Sequence, residues 1–208
     1  MAEDGARRTK GANRRQQILD AAAHEFGLRG VAEVRIEDVA ARAGCNKSLV
    51  YYYFESKEHL HAAVIAEIAE IMRTNHLHWK GATFPEWASY TIEWAWKHPD
   101  DPWARMVVRE GLTDQGRALL EEERTRTLGE VTKVVVRGQG KGDVDPDLDP
   151  EMVTFLLLLL TIGPGVTPQL VRMLTGVSPA DPQFYERYRT FVASLVERLR
   201  PAQGEAER

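Results

Sequence analysis

Residues 35–60 read RIEDVAARAGCNKSLVYYYFESKEHL, and the fold turns on how they are read. Ile36, Val39, Ala40 and Ala43 recur at helical spacing on one face. Gly44 stops that helix, because glycine takes a positive φ without a Cβ penalty. Asn46 is a good N-cap for the next helix, its side-chain oxygen accepting a free backbone N–H. Leu49, Val50, Tyr53 and Phe54 then recur three and four residues apart as an apolar face. The opposite face carries Lys47, Ser48, Tyr51 and Tyr52. Ser56 caps a third helix, with Lys57 and Glu58 in its first turn. A helix, a glycine turn and a second helix with a polar and aromatic outer face is the helix-turn-helix pattern, whose second helix enters the DNA major groove.

The stretch resembles the DNA-binding segment of the TetR family of bacterial transcriptional regulators. That segment runs roughly I-A-x-x-A-G-V-S-x-G-x-L-Y-x-H/Y-F-x-S-K-E-x-L. The matching residues here are Val39-Ala40, Ala43-Gly44, Cys45-Asn46, Ser48, Val50-Tyr51, Tyr53-Phe54, Ser56-Lys57-Glu58 and Leu60. The preceding helix fits as well, through Arg15, Ile18-Leu19, Ala21-Ala22, Phe26 and Gly30. The resemblance covers about a quarter of the chain. Cys45-Asn46 replace the usual Val-Ser, Ser48 replaces Gly, and Arg35 replaces the common Thr cap. The changes at 46 and 48 should alter which bases are read, and the lost cap costs about 1 kcal/mol.

Composition sets the frame. With 43% apolar and 28% charged residues over 208 positions, the chain reads as a soluble globular protein of one large or two small domains. A single cysteine excludes an internal disulfide and suits the reducing cytoplasm. No apolar core follows the basic residues of MAEDGARRTKG, so the start is not a signal peptide. The most apolar run, Val153 to Ile162, is too short to span a bilayer. Residues 1–60 carry ten Lys/Arg against nine Asp/Glu, and residues 61–208 seventeen against twenty-two. Arg7, Arg8, Lys10, Arg14 and Arg15 make a local basic arm, which reads equally as a phosphate contact or as a solvated tail.

In chain order, residues 1–12 read as a disordered basic arm. Asn13 caps a first helix, Arg14 to Leu28, which completes a helix-turn-helix domain at 13–60. A fourth helix from Lys57 to about Leu77 carries Leu60, Val64, Ile68 and Ile71 as a stripe and runs unbroken into the rest of the chain. In the family this helix joins the two domains. Further helices read at Phe84–Lys97, Pro102–Gly111 (capped by Asp101), Asp114–Arg137, Glu151–Ile162, Pro168–Leu174 and Pro182–Leu199. Gly138 to Pro150 reads as a flexible acidic linker, and 202–208 as a disordered tail. The chain is therefore expected to be all-α, with a ligand-binding and dimerisation domain at 61–201.

The expected DNA contacts are Lys47, Ser48 and Tyr52 at base edges and Tyr51 and Lys57 at phosphates, the last two also implied by the resemblance. Asn46 is chiefly a cap that also faces DNA, Arg35 is placed to reach a phosphate, and Tyr53 and Phe54 belong to the core. All five tryptophans fall between Trp79 and Trp103. Trp87, Tyr90, Trp94, Trp103, Met106 and Phe155 are the candidate lining of a pocket for a small apolar or aromatic effector, although aromatic residues at helical spacing are usually core. The run Phe155 to Leu160 is apolar all round a helix, which calls for burial on two sides, one of them a partner subunit. The implied partners are thus double-stranded operator DNA, an effector and a second copy of the chain, with no membrane. The spacing of His76 and His78 does not put two metal ligands on one helix face, and no cofactor or metal is expected. No nucleophile, phosphate loop or metal-hydrolase motif is present, so an enzyme is not expected. The reading is a ligand-responsive repressor. The alternative is a binding or scaffolding protein of the same fold that has lost specific DNA binding.

Overall fold

A computed structural model describes residues 2–77, 83–98, 102–113 and 118–202, and the side chains of 13–74, 83–98, 102–112 and 118–202. All regular structure among the described residues is helical: α1 (Ala2–Arg29), α2 (Ile36–Arg42), α3 (Lys47–Phe54), α4 (Lys57–Leu77), α5 (Phe84–Lys97), α6 (Pro102–Thr113), α7 (Glu121–Lys141), α8 (Pro150–Val166), α9 (Pro168–Thr175) and α10 (Pro182–Glu197). Two compact units result. The first holds residues 1–71 and 100–123, the second 72–99 and 124–208.

The first unit is built on the stripe of α1. Ile18, Leu19, Ala22 and Phe26 are fully or almost fully buried there, with Val39 of α2, Val50 and Phe54 of α3, and Leu60 and Val64 of α4. Phe26 meets His61 edge-on at 5.4 Å, and the Arg15 guanidinium lies 5.0 Å over the Phe54 ring. α6 belongs to this unit although the sequence reading gave it to the second domain. Its Pro102 packs on Gly27 so closely that a Cβ at 27 would lie 3.0 Å from the proline Cβ, and its Met106 is 3% exposed. The Arg109 guanidinium of α6 donates to the Leu28 carbonyl, one of the acceptors that the end of α1 leaves open.

Several starts and stops differ from expectation. α1 begins at Ala2, so residues 2–12 of the stretch read as disordered are helical and Asn13 lies inside the helix rather than capping it. Apart from Gly5 and Gly11, residues 2–12 are mostly adequate helix formers, with Glu3 and Asp4 in the first turn where the helix dipole favours them. α7 runs on through Gly138, which the sequence reading took as the start of a linker. Gly138 is there because nothing larger fits: a Cβ would stand 3.0 Å from Phe84 Cβ and 3.1 Å from Val144 Cγ2. Asp101, Trp79, His78, the expected helix start at Asp114 and residues 203–208 lie outside the described residues, as does the His76 side chain.

The second unit packs Phe84, Trp87 and Ile92 of α5 against Val131, Val134 and Val135 of α7, Val153 and Leu157 of α8, and Val192 and Val196 of α10. The expected linker is tied down within it. Val144 is fully buried, Asp143 accepts from the Phe84 N–H at 3.2 Å, and Asp145 N–H donates to the Leu199 carbonyl at 2.7 Å. Gln139 adds donations to the Asp145 and Leu148 carbonyls at 3.1 and 2.8 Å. Thr83, Asp149 and Asp181 cap α5, α8 and α10, with proline in the first turn of each. α8 keeps Val153, Thr154 and Leu157 inward and leaves Met152, Phe155 and Leu159 more than 45% exposed. No single helix among the described residues is long and apolar enough to cross a membrane.

Candidate nucleic-acid interface

The candidate interface is the outer face of α3 and the backbone around it. α3 starts where it does because Asn46 Oδ1 accepts the Leu49 N–H at 2.9 Å, as expected of that residue. Val50 and Phe54 turn inward at 1% and 4% exposure, which fixes the roll of the helix. Lys47, Ser48, Tyr51 and Tyr52 are left outside, and Tyr52 is 78% exposed against the edge of Tyr53. Cys45-Asn46 follow Gly44, whose φ of +62° makes the turn. At the other end Glu55 takes φ +59°, with the Ser56 N–H reaching back to the Phe54 carbonyl at 2.5 Å, a tight γ-type turn into α4.

Electrostatics ties this face to α2. The Lys47 ammonium sits 2.6 Å from Glu37 Oε1 and 5.6 Å from the centre of the Tyr51 ring. The Lys47 hydrogen bond holds the Glu37 carboxyl below its ordinary value, and the same contact holds the Lys47 ammonium above its own. Glu37 escaped the sequence reading because it lies ten positions from its partner on a different helix; only an exposed carboxylate one residue after Ile36 was there to notice. Arg35 is exposed at the N-cap of α2 and does not cap with its side chain. Asp38 reaches back to the same residue, its carboxylate accepting the Arg35 N–H at 3.1 Å while pairing with Arg29 at 2.8 Å.

Lys57 is engaged differently from the phosphate contact expected of it. Its ammonium donates to the carbonyls of Val31 at 2.9 Å, Val34 at 3.3 Å and Ala32 at 3.5 Å, pinning the α1–α2 loop to the start of α4. An open groove runs beside it, lined by Val34, Arg35, Tyr51, Glu55, Lys57 and Glu58 among others. Beneath the interface, Glu25 is 8% exposed and accepts from Arg29 at 2.6 Å and Arg42 at 2.5 Å. These hydrogen bonds, Arg42's foremost, hold its carboxyl below the ordinary value despite burial. Arg14 adds a donation to the Ala43 carbonyl at 3.3 Å. The second helix-turn-helix helix is therefore carried on α2, which the Glu25 cluster fastens to α1.

The six residues read as a pocket lining are distributed. Trp103 and Met106 belong to the first unit and the other four to the second. Trp87 is committed to the core at 2% exposure, Trp94 stacks on His98 at 4.4 Å, and Tyr90 and Phe155 are 36% and 55% exposed. The aromatic spacing carried no sign of which rings face inward, because α5 has aromatic residues on more than one side.

An all-α chain that fixes a short helix by its inner apolar face, and leaves a lysine, a serine and two tyrosines outside, is a helix-turn-helix DNA-binding protein by class. Residues 18–64 match the family described as bacterial regulatory proteins, tetR family, and residues 83–198 match the tetracyclin repressor-like C-terminal domain. The chain belongs to the TetR family of transcriptional regulators, and so to a family of regulators rather than enzymes. It is 30% identical over 166 residues to the HTH-type transcriptional repressor SCO4008 of Streptomyces coelicolor, covering 77% of this chain and 82% of that one. It is 26% identical over 197 residues to the HTH-type transcriptional regulator RutR of Escherichia coli, covering 90% and 91%. Its fold is similar to a TetR transcriptional regulator from Chloroflexus aurantiacus, with a TM-score of 0.69 at 21% identity over 93% of this chain and all of that one. The putative transcriptional regulator SCO4942 of Streptomyces coelicolor has a TM-score of 0.67 at 24% identity over 90% and 98%.

Proposed function

We propose that this chain is a repressor that binds a palindromic operator as a homodimer in the cytoplasm and is released by a small apolar or aromatic molecule. The observation that carries the DNA reading is the outer face of α3, where Lys47, Ser48, Tyr51 and Tyr52 stand free of the core behind an Asn46 cap. Two copies of that helix read half-sites about 34–36 Å apart, or a multiple of that spacing. Arg35 and Asn46 flank the face, and Lys57 acts at its edge.

Dimer formation is supported by α8. Its inner side fills the core while Met152, Phe155 and Leu159 remain exposed, and Phe191 of α10 is 58% exposed. A face of this kind finds its complement in a second copy, since a closed symmetric pair also matches a palindrome. The effector reading rests on the aromatic α5, where Tyr90 is 36% exposed and Trp94 half-buried, and on Phe155 of α8 at 55% exposure, all within the second unit. An effector that favours a conformer with another α3 spacing lowers operator affinity by the coupling free energy, typically about 1–3 kcal/mol.

The test is selection of duplexes from a random pool, then anisotropy titrations with the winning site. Palindromic winners, steep loss of affinity with salt and 2:1 stoichiometry are the expected results. Failure to enrich any sequence at modest salt refutes specific binding. A thermal-shift screen of apolar and aromatic compounds then identifies the effector, a ligand at 100 times its dissociation constant adding about 2.7 kcal/mol.

A further inference from the structure

On the reading that α3 meets DNA, we propose that Glu37 is a specificity-determining residue that acts by holding Lys47 off the phosphate backbone. Non-specific binding is almost wholly a matter of cations on phosphates. Lys47 lies at the first turn of α3, on the face turned toward DNA, and is the one cation of that helix. Its ammonium is nevertheless shared with a carboxylate 2.6 Å away, and both side chains are open to solvent, at 49% and 58% exposure. A pair so exposed contributes little to the stability of the fold. Its effect is on what approaches: a lysine neutralised by its neighbour releases no counterion from DNA, and a carboxylate that keeps its lysine repels no phosphate.

The Tyr51 ring, 5.6 Å from the ammonium, is a second contact that holds Lys47 beside Glu37. Glu37 therefore lowers affinity for arbitrary sequence while leaving two N–H donors of the Lys47 ammonium for a guanine edge, and raises the ratio of specific to non-specific binding.

The test needs no operator. Binding to a random-sequence duplex is titrated between 50 and 200 mM salt for the full-length wild type, Glu37→Gln, Lys47→Gln and the double variant. Glu37→Gln is expected to bind more tightly and to steepen the salt dependence by about 0.9 in the log–log slope, an extra loss of about 3.5-fold across that range. Lys47→Gln alone unpairs Glu37 and weakens binding but removes no phosphate contact, so its slope falls by less than the 0.9 or so that the same change removes in the Glu37→Gln background, where it returns the slope to the wild-type value. Misfolding cannot imitate the result, because the first variant gains affinity. An unchanged slope for Glu37→Gln, or an equal fall on Lys47→Gln in both backgrounds, overturns the proposal, the latter by showing Lys47 on phosphate irrespective of Glu37. A wild type with no salt-dependent duplex binding is a separate result: it overturns the DNA reading, and this inference with it.

Discussion

Replacing Glu25 by Gln keeps the shape of the side chain and removes the charge that fastens α2 to α1. In the native protein the carboxylate is 8% exposed and accepts from two guanidinium groups at 2.6 and 2.5 Å. Hydrogen bonds to charged groups contribute about 1.5–3 kcal/mol each. Arg29 and Arg42 are 40% and 43% exposed, so water offsets part of their loss and the low end applies. The substitution should cost about 2–3 kcal/mol, short of the roughly 3–5 kcal/mol of a fully buried pair. For a chain of this length that lowers the Tm by about 5–10 °C. The folded-state carboxyl is held below its ordinary value of 4.5, so its contribution is present above that value and disappears as pH falls through the lower folded-state value. Thermal melts of both proteins followed by circular dichroism should therefore show the full gap at pH 7 and a shrinking gap below about pH 4.5. Equal melting points at pH 7, or a gap that ignores pH, would refute the claim that this ionic cluster stabilises the α1–α2 junction.

Four further outcomes are expected. Gly138→Ala should destabilise by about 1–3 kcal/mol because its Cβ meets Phe84 and Val144; Gly129→Ala, in the same helix and with none of the described residues within 4 Å of the added Cβ, should stabilise by about 0.5–1 kcal/mol, and paired urea melts compare them. Asn46→Ala should cost about 0.5–2 kcal/mol through the lost Leu49 N–H acceptor and weaken duplex binding in the anisotropy assay. Lys57→Met should lower the Tm as well as DNA affinity, since its ammonium holds three loop carbonyls; an unshifted Tm with lost affinity would return Lys57 to a pure phosphate contact. Phe155→Glu should convert the proposed dimer to monomer in sedimentation velocity while leaving the helical spectrum intact, because the side chain is 55% exposed in the single chain.

The parts of this protein legible from sequence are those whose cause is local. The Asn46 cap, the turn at Gly44 and the inward Val50 and Phe54 all follow from spacing within one turn or two of helix. What could not be read was set by partners distant along the chain. Gly138 looks like a linker residue until Phe84 is placed against it, and Val144 looks solvated until the loop folds back onto α5. Glu25 with Arg42 and Glu37 with Lys47 are pairs between helices, so periodicity within either helix says nothing of them. Which rings of α5 turn inward was hidden for a related reason: a tryptophan that fills a core and one that lines a cavity carry the same hydropathy and the same spacing.

The close seat of Pro102 on Gly27, with Arg109 closing the Leu28 carbonyl, bears on how such regulators can be recombined. Cutting the gene between the two matched regions, at about residue 83, would graft a foreign α6 onto a native α1. Any donor with a bulkier residue in place of Pro102, or lacking the guanidinium, would leave the reader helix on a badly fitted base whatever its sensor recognises. A working hybrid has to carry α1 and α6 from the same parent, or be matched at these three positions, so the natural unit of exchange is discontinuous in the gene.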